Sequence, residues 1–215
     1  MTRSSCSTQS CEAEVLIGLL GGTFDPVHLG HVEVARQARS LLGLDRVLLV
    51  PAFQPPHRPP PAAVPEDRLA MARLAVENEP GLVVDDIEIR RRGISYTVET
   101  LREVSRREPR EDLVLLLGRD AALEFGSWRD GKAIAALATL AVVNRSGLEA
   151  GAGATLPAGA IDLVIDSPEI SATAVRDALA AGADPSGMLA PSVTSYIREH
   201  RLYGAGGGGR PRALS

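Results

Sequence analysis

The chain has 215 residues and a formal net charge of −4, with 45% hydrophobic and 23% charged residues. This composition excludes an intrinsically disordered chain and predicts one domain with a sizeable apolar core. The negative net charge argues against a protein that neutralises many phosphates of a nucleic acid, so we expect no nucleic-acid partner.

The first segment of the chain is polar and rich in Ser and Thr, and it contains both cysteines, Cys6 and Cys11. Two cysteines outside the apolar runs provide no zinc knuckle or disulfide framework, which is typical of a reducing cytoplasm. The segment lacks the apolar centre of a signal peptide, and no stretch reaches the about 18 apolar residues of a membrane span. We therefore expect a cytoplasmic protein without membrane contact, with a disordered leader (residues 1–12), a folded domain (13–203) and a disordered glycine-rich tail (204–215).

Apolar runs alternate with segments of helical periodicity along the chain. The predicted strands are residues 15–20, 46–50, 82–89, 113–117, 139–143 and 161–165. The predicted helices are residues 27–42, 65–77, 97–107, 132–136, 171–181 and 191–200, with loops at 55–61 and 147–160. Strands that alternate with helices indicate an α/β fold, here a single-domain, Rossmann-like, doubly wound parallel sheet with C-terminal helices.

The turn after the first strand carries the most unusual residues. Gly21 and Gly22 allow close approach of a ligand to the backbone, and we expect Asp25 to cap the following helix. His28 and His31 then lie three residues apart, on one face of the first helical turn. Free N–H groups and the positive end of the helix dipole favour a phosphate there.

Two other interpretations apply to these histidines. They could be incidental helix residues, or two ligands of a zinc site. A zinc site would need a third ligand and usually shows His-Glu-x-x-His or clustered cysteines, which the sequence lacks. The P-loop and the Gly-x-Gly-x-x-Gly pattern are absent too, so phosphates would be held in a different way.

The segment 21–31, Gly-Gly-Thr-Phe-Asp-Pro-Val-His-Leu-Gly-His, resembles the signature of the nucleotidyltransferase superfamily. The resemblance implies catalytic roles for His28 and His31. It also implies contacts with ATP through Gly21, Gly22, Thr23, Phe24 and His31, and a substrate contact through Thr23. Relatives that use phosphopantetheine, FMN or cytidylyl chemistry share this motif, so later segments must identify the acceptor.

Residues 55–58, Pro-Pro-His-Arg, resemble a segment of the bacterial nicotinate-mononucleotide adenylyltransferases that usually ends in Lys. Arg58 preserves the charge, and the resemblance implies that it contacts the phosphates of ATP. An exposed proline-rich loop without a ligand is the alternative.

Ser95, Tyr96 and Thr97 resemble the Ser-Tyr-Thr segment of the same family, and Asp120 and Trp128 its Gly-x-Asp motif and tryptophan. The resemblance implies that these residues bind the mononucleotide, with Asp120 holding it and Trp128 stacking on its pyridine ring. Read without the resemblance, residues 95–97 are an ordinary helix start, Asp120 a helix cap and Trp128 a core residue.

Residues 170–176, Ile-Ser-Ala-Thr-Ala-Val-Arg, resemble the family's Ile-Ser-Ser-Thr-x-x-Arg, with Ala172 in place of the second Ser. The resemblance implies that Ile170, Ser171, Thr173 and Arg176 contact ATP, with Arg176 also catalytic. Donors at a helix start suit the β- and γ-phosphates. Arg145 lies where the family has a substrate-binding arginine.

Together these segments imply transfer of the adenylyl group of ATP to nicotinate mononucleotide. Mg²⁺ is expected to arrive with ATP, because the sequence offers no Asp/Glu cluster for a dedicated metal cage. The alternatives are another acceptor, nicotinamide mononucleotide or phosphopantetheine, and an inactive nucleotide-binding regulator. The sequence contains no indication of the oligomeric state.

Overall fold

The computed structural model describes residues 15–56, 58–145 and 156–205. Its centre is a six-stranded sheet in the order β3-β2-β1-β4-β5-β6, and every pairing is parallel. The strands are β1 Val15–Gly22, β2 Arg46–Pro51, β3 Leu82–Val84, β4 Glu111–Gly118, β5 Thr139–Arg145 and β6 Ile161–Ile165. The helices are α1 Leu29–Leu42, α2 Pro65–Val76, α3 Ile87–Arg91, α4 Thr97–Arg107, α5 Arg119–Leu123, α6 Gly131–Leu137, α7 Ala172–Ala180 and α8 Pro191–Glu199. The predicted α/β fold with a doubly wound parallel sheet is confirmed.

The strand order places a switch point between β1 and β4. The chain runs outward through β1, β2 and β3, and then returns to place β4 against the other side of β1. Ligands of open α/β sheets bind at such a point, outside the carboxyl ends of the strands. The turns that follow β1 and β4 therefore border the expected crevice.

Each face of the sheet has its own apolar core. Alternate residues of the central strands, such as Leu20 and Leu116, pack with α1, α2, α7 and α8 on one face. The residues between them, such as Ile17 and Leu115, pack with α3, α4, α5 and α6 on the other. Successive side chains of a strand point to opposite faces, so strands covered on both sides must be apolar throughout. This explains the unbroken apolar runs in the sequence.

The predicted strand at residues 82–89 is wrong in its second half. Strand β3 ends at Val84, and α3 follows. The Asp85 carboxylate accepts a hydrogen bond of 3.1 Å from the Ile87 amide, which turns the chain out of the sheet. Ile87 and Glu88 are then both buried by the helical turn. The Val/Ile content of the segment favoured a strand, but local turn chemistry ends it.

The start of α1 also differs from the prediction. The helix begins at Leu29 with His28 as its N-cap residue. Asp25 does not cap it, because the Asp25 carboxylate accepts hydrogen bonds from the amides of Ala62, at 2.7 Å, and Ala63, at 3.0 Å. An acidic residue beside a helix start can accept hydrogen bonds from the amides of a distant loop instead of capping the helix. Sequence spacing alone does not distinguish these two roles.

Ala205, the last of the described residues, is buried. The predicted leader, residues 206–215 of the tail and residues 147–155 of the predicted loop lie outside the described residues. Within the described ranges, no helix is long and apolar enough to cross a membrane.

Gly18, in the middle of β1, gives a test of the sheet packing. A Cβ at this position would lie 2.7 Å from Leu44 Cδ1 and 3.1 Å from Val47 Cγ2. We expect Gly18→Val to lower the free energy of unfolding by about 1–3 kcal/mol through overpacking, as measured by urea denaturation. Gly126→Val is the control, because nothing lies within 4 Å of a Cβ there. Equal stability of the two variants would contradict this packing of β1.

Candidate functional site

The turn after β1 forms the centre of the site. Phe24 has a positive φ of 50° and a buried ring. A Cβ on Gly22 would lie 2.8 Å from that ring, so this position requires glycine while Phe24 stays buried. The ring of Phe24 meets His31 edge to face with the centroids 5.0 Å apart. The turn is thus a packed platform and not a free loop.

The two histidines form a stacked pair at the N-terminus of α1. Their ring centroids are 3.6 Å apart, with His28 buried and His31 partly exposed. The His28 amide donates to His31 Nδ1 at 3.2 Å, and the His31 amide donates to the His28 carbonyl at 2.9 Å. A Cβ on Gly30 would lie 3.1 Å from His28 Nδ1, so the glycine makes room for the pair. Two imidazoles are thereby preorganised where the helix dipole favours an anion.

Arg176 of α7 reaches the same turn from the far end of the chain. Its Nη1 donates to the backbone carbonyl of Asp25 at 2.7 Å, and its Nη2 donates to Thr173 Oγ1 at 3.2 Å. Ser171 caps α7 by accepting from the Ala174 amide at 3.1 Å, and Ile170 before it is buried. The structure therefore brings the predicted ATP segment after β6 next to the turn after β1. A guanidinium held by only part of its fork can also bind phosphate oxygens.

Asp25 connects three parts of the chain, a role that sequence reasoning missed. Besides the amides of Ala62 and Ala63, its carboxylate accepts the hydroxyl of Tyr203 at 2.7 Å. Burial, together with the Asp25 carboxylate, raises the pKa of Tyr203 above its ordinary value, so the phenol remains a donor. Asp25 thus joins the turn after β1 to the loop before α2 and to the C-terminal turn.

Arg68 of α2 is the second residue that sequence reasoning missed. It is fully buried, and its guanidinium donates only to backbone carbonyls. Those carbonyls belong to Ala63 at 3.2 Å, Thr23 and Ala52 at 2.6 Å each, and Phe53 at 2.9 Å. Burial lowers the pKa of Arg68, and the nearby Asp25 opposes that shift. The signal in the sequence was an arginine on the apolar stripe of a helix, alongside Met71 and Ala72.

The start of α4 is attached to the loop after β2. The Ser95 amide donates to the Gln54 carbonyl, and Ser95 Oγ accepts from the Phe53 amide, each at 2.9 Å. Ser95 is buried, so its hydroxyl serves the protein's own backbone. The Tyr96 amide donates to the Ile94 carbonyl at 3.2 Å, whereas Thr97 opens the helix. The Glu99 amide donates to the Tyr96 carbonyl at 3.0 Å. The first amides of a helix, such as that of Thr97, have no carbonyl of their own helix to bind.

The predicted tryptophan lies next to this helix start. Trp128 is partly buried, and its ring centroid is 5.8 Å from that of Phe125. The following residue, Arg129, places its guanidinium 4.5 Å from the centre of the Tyr96 ring and pairs with Glu99 at 3.2 Å. The structure thus brings the Trp128 segment and the Tyr96 segment together.

The remaining predicted residues lie at or after the carboxyl ends of β2, β4 and β5. Asp120 is exposed in the first turn of α5, directly after β4, and it does not cap that helix, whose N-cap is Gly118. Arg58 is exposed in the loop after β2. Arg145 ends β5, and its side chain is outside the described part of the structure. Among the described residues, no three His, Cys, Asp or Glu side chains are grouped to hold a metal ion.

The sequence is similar to known proteins of one family. The family model described as cytidylyltransferase-like matches residues 19–178. A protein of Laribacter hongkongensis named "Probable nicotinate-nucleotide adenylyltransferase" is 46% identical over 208 residues, covering 88% of this chain and 94% of its own length. A protein of the same name from Thermus thermophilus is 41% identical over 189 residues, covering 87% and 98%.

A solved structure has the same fold. The nicotinic acid mononucleotide adenylyltransferase of Plasmodium falciparum, complexed with NaAD, superposes with a TM-score of 0.72 at 17% identity. The superposition covers 89% of this chain and 98% of that one. At this level of identity the likeness concerns the fold.

Tyr203→Phe tests the role of Asp25 as a connecting residue. The substitution removes the hydroxyl that donates to a buried carboxylate, so we expect the free energy of unfolding to fall by about 1–3 kcal/mol. Tyr196→Phe is the matched control, because the Tyr196 hydroxyl donates at 2.9 Å to the less buried Asp67 and its loss should cost less. Urea denaturation of both variants measures the difference, and equal losses would contradict the role given to Tyr203.

Proposed function

Because the chain belongs to the cytidylyltransferase-like family, and within it to the nicotinate-nucleotide adenylyltransferases, we propose that it transfers the adenylyl group of ATP to nicotinate mononucleotide. The products are nicotinate adenine dinucleotide and pyrophosphate, in the synthesis of NAD. The observation that carries the proposal is the stacked pair of His28 and His31, with Arg176 held against the same turn. That arrangement provides several cationic or N–H donors around one anion site.

The acceptor supplies its own nucleophile. A phosphate oxygen of the mononucleotide attacks the α-phosphorus of ATP, and the bond from that phosphorus to the bridging oxygen of pyrophosphate breaks. The attacking group is already an anion, so the protein needs no strong base and acts by positioning and by stabilising charge. In this proposal His28 and His31 stabilise the α- and β-phosphate region. Arg176 stabilises the charge that develops on the leaving pyrophosphate.

Around the histidines, Gly21 to Phe24 lie along the nucleotide, and Ile170, Ser171 and Thr173 line it on the α7 side. Arg58 contacts the phosphates from the exposed loop after β2. Mg²⁺ would arrive with ATP and would be bound mainly through phosphate oxygens and water. The absence of a carboxylate cluster among the described residues is compatible with an ion that the substrate carries. The ion's contribution is to neutralise phosphate charge.

The mononucleotide binds where α4 begins, between the Tyr96 segment and Trp128. The Tyr96 amide already donates to Ile94, so the Thr97 amide is the donor best placed for a carboxylate of the nicotinate ring. In this proposal Trp128 stacks on the ring, and Asp120 and Arg145 contact the rest of the mononucleotide. Thr23 contacts the mononucleotide next to ATP. Ser95 attaches this helix start to the loop after β2 through its hydrogen bonds with Phe53 and Gln54.

His31→Ala tests the phosphate site. We expect kcat to fall by about a hundredfold or more, because a group that stabilises the transition state is lost. Folding should change little, since the His31 ring is partly exposed. Steady-state kinetics with ATP and nicotinate mononucleotide, alongside circular dichroism, measure both quantities. His200→Ala is the control outside the site, and normal turnover of His31→Ala would exclude the assignment.

The choice of acceptor gives a second test. A nicotinate carboxylate accepts from the Thr97 amide, whereas a nicotinamide can present an NH₂ donor to another donor. Such a mismatch costs about 1–3 kcal/mol, so kcat/KM should favour nicotinate mononucleotide over the amide by roughly tenfold to a hundredfold or more. Pyrophosphate release with ATP, Mg²⁺ and each mononucleotide, and with phosphopantetheine as a further acceptor, measures the preference. Equal values, or a preference for another acceptor, would refute the proposed substrate.

A further inference from the structure

We infer that Asn144 is a positioning residue for the mononucleotide, because it holds Arg119 and thereby fixes the start of α5, where Asp120 lies. This inference rests on the proposed function, in which Asp120 contacts the mononucleotide. Asn144 lies near the end of β5, and 8% of the residue is exposed. Among the strand residues whose side chains the structure describes, it is the one buried polar side chain. A buried amide requires hydrogen-bond partners, and its partners indicate what it holds.

The amide of Asn144 joins two charged side chains from neighbouring elements. Arg119 Nη1 donates to Asn144 Oδ1 at 3.0 Å, and Asn144 Nδ2 donates to Asp162 Oδ1. A guanidinium can only donate and a carboxylate can only accept, so both partners require the same orientation of the amide. An apolar residue, as at the other buried positions of β5, could make neither contact. The amide therefore connects α5, β5 and β6.

The register of the sheet places these groups on one face. Val142 of β5 pairs with Asp162 of β6 in the parallel ladder. Asn144 follows two residues after Val142, so the side chains of Asn144 and Asp162 lie on the same face. Val142 and Ala122 of α5 both belong to the apolar core of that face. Arg119 thus reaches Asn144 from the helix that packs against this face.

The helix α5 is too short to fix its own first turn. It spans only five residues, Arg119–Leu123, and no side chain caps its start. Short helices have little stability of their own and depend on tertiary contacts. Ala122 is buried in the core, and the hydrogen bond with Asn144 attaches the first residue of the helix. Asp120 follows Arg119 directly and is exposed, so the placement of its carboxylate depends on this turn.

The contacts of Asn144 favour an effect on the mononucleotide over an effect on ATP. On β6 the contact is made by Asp162, four residues before the loop that leads to α7 begins. The parallel ladder holds β6 against β5, and Leu163 and Ile165 are buried in the core of the other face. Loss of the contact with Asp162 should therefore leave the proposed ATP segment in place. Loss of the contact with Arg119 loosens the turn that carries Asp120.

The test is Asn144→Leu, which keeps the approximate size of the side chain and removes both hydrogen bonds. We expect KM for nicotinate mononucleotide at saturating ATP and Mg²⁺ to rise by about tenfold, because misplacement of a binding group by about 1 Å can cost this much or more. KM for ATP should stay within about twofold of the wild-type value. Asn144→Asp retains an acceptor oxygen for Arg119, so it should restore most of the affinity for the mononucleotide.

A double-mutant cycle with Arg119→Met identifies the path of the effect. Arg119→Met removes the same hydrogen bond from the other side, and the side chain is partly exposed, so the fold should be retained. If Asn144 acts through Arg119, the double variant should show the same rise in KM for the mononucleotide as Asn144→Leu alone. Rises that multiply would mean that Asn144 acts by another route, such as its neighbour Arg145, and would overturn the inference.

Three other results would overturn it as well: an unchanged KM for the mononucleotide in Asn144→Leu, an equal rise for both substrates, or the same rise in Asn144→Asp. Arg73→Met is the control, because it also removes a side-chain hydrogen bond, to Asp86 at 3.1 Å, outside the proposed site. Urea denaturation shows whether each variant is folded. If Asn144→Leu does not fold, Arg119→Met decides by the same split between the two KM values. Turnover of nicotinate mononucleotide by the wild-type protein is measured first, since its absence would overturn the proposed function itself.

Discussion

The buried guanidinium of Arg68 is the interaction on which the site depends. It holds carbonyls from the turn after β1, the loop after β2 and the loop before α2. Burying a cation is expensive unless every donor is paired, and burying carbonyls without donors is expensive as well. The hydrogen bonds between the guanidinium and the carbonyls offset both of these costs. They also fix the three segments relative to one another. An apolar side chain of similar size would leave the carbonyls without donors.

Asp25 has the complementary role on the same turn. Its carboxylate accepts from the loop before α2 and from Tyr203, while its backbone carbonyl holds Arg176. The buried side chains of Asp25 and Arg68 therefore organise the backbone next to the two histidines and Arg176. The histidines and Arg176 project from this framework with part of their hydrogen-bonding capacity directed to the protein. Preorganised donors of this kind lose little freedom when a phosphate binds, which is how positioning lowers a barrier.

The strands and helices whose residue pattern is determined by burial could be predicted from the sequence. Strands covered on both faces have to be apolar throughout, so β1, β2, β4 and β5 could be predicted from their runs, and the parallel order followed from alternation with helices. Polar residues with a choice of partners could not be assigned. Asp25 was expected to cap α1, and Asp85 was placed inside a strand, because each could satisfy either local or distant amides. Resemblance to a family suggested that Ser95 contacts substrate, and the structure adds a contact that the sequence did not indicate, in which the Ser95 oxygen accepts from the Phe53 amide.

The contacts of Asp25 also bear on when a newly made chain acquires its site. Asp25 pairs with Arg176 and Tyr203 across 151 and 178 residues, whereas Arg68 reaches Thr23 across 45. Ribosomes add about 5–20 residues per second, so on the order of 10 s separates the synthesis of Arg68 from that of Tyr203. During this interval the turn after β1 can be shaped by Arg68 while the α7 side of the crevice does not yet exist. The contacts of Asp25 with Arg176 and Tyr203 can therefore form only after the C-terminal turn has been synthesised, so the turn after β1 is completed last although its own residues are made first.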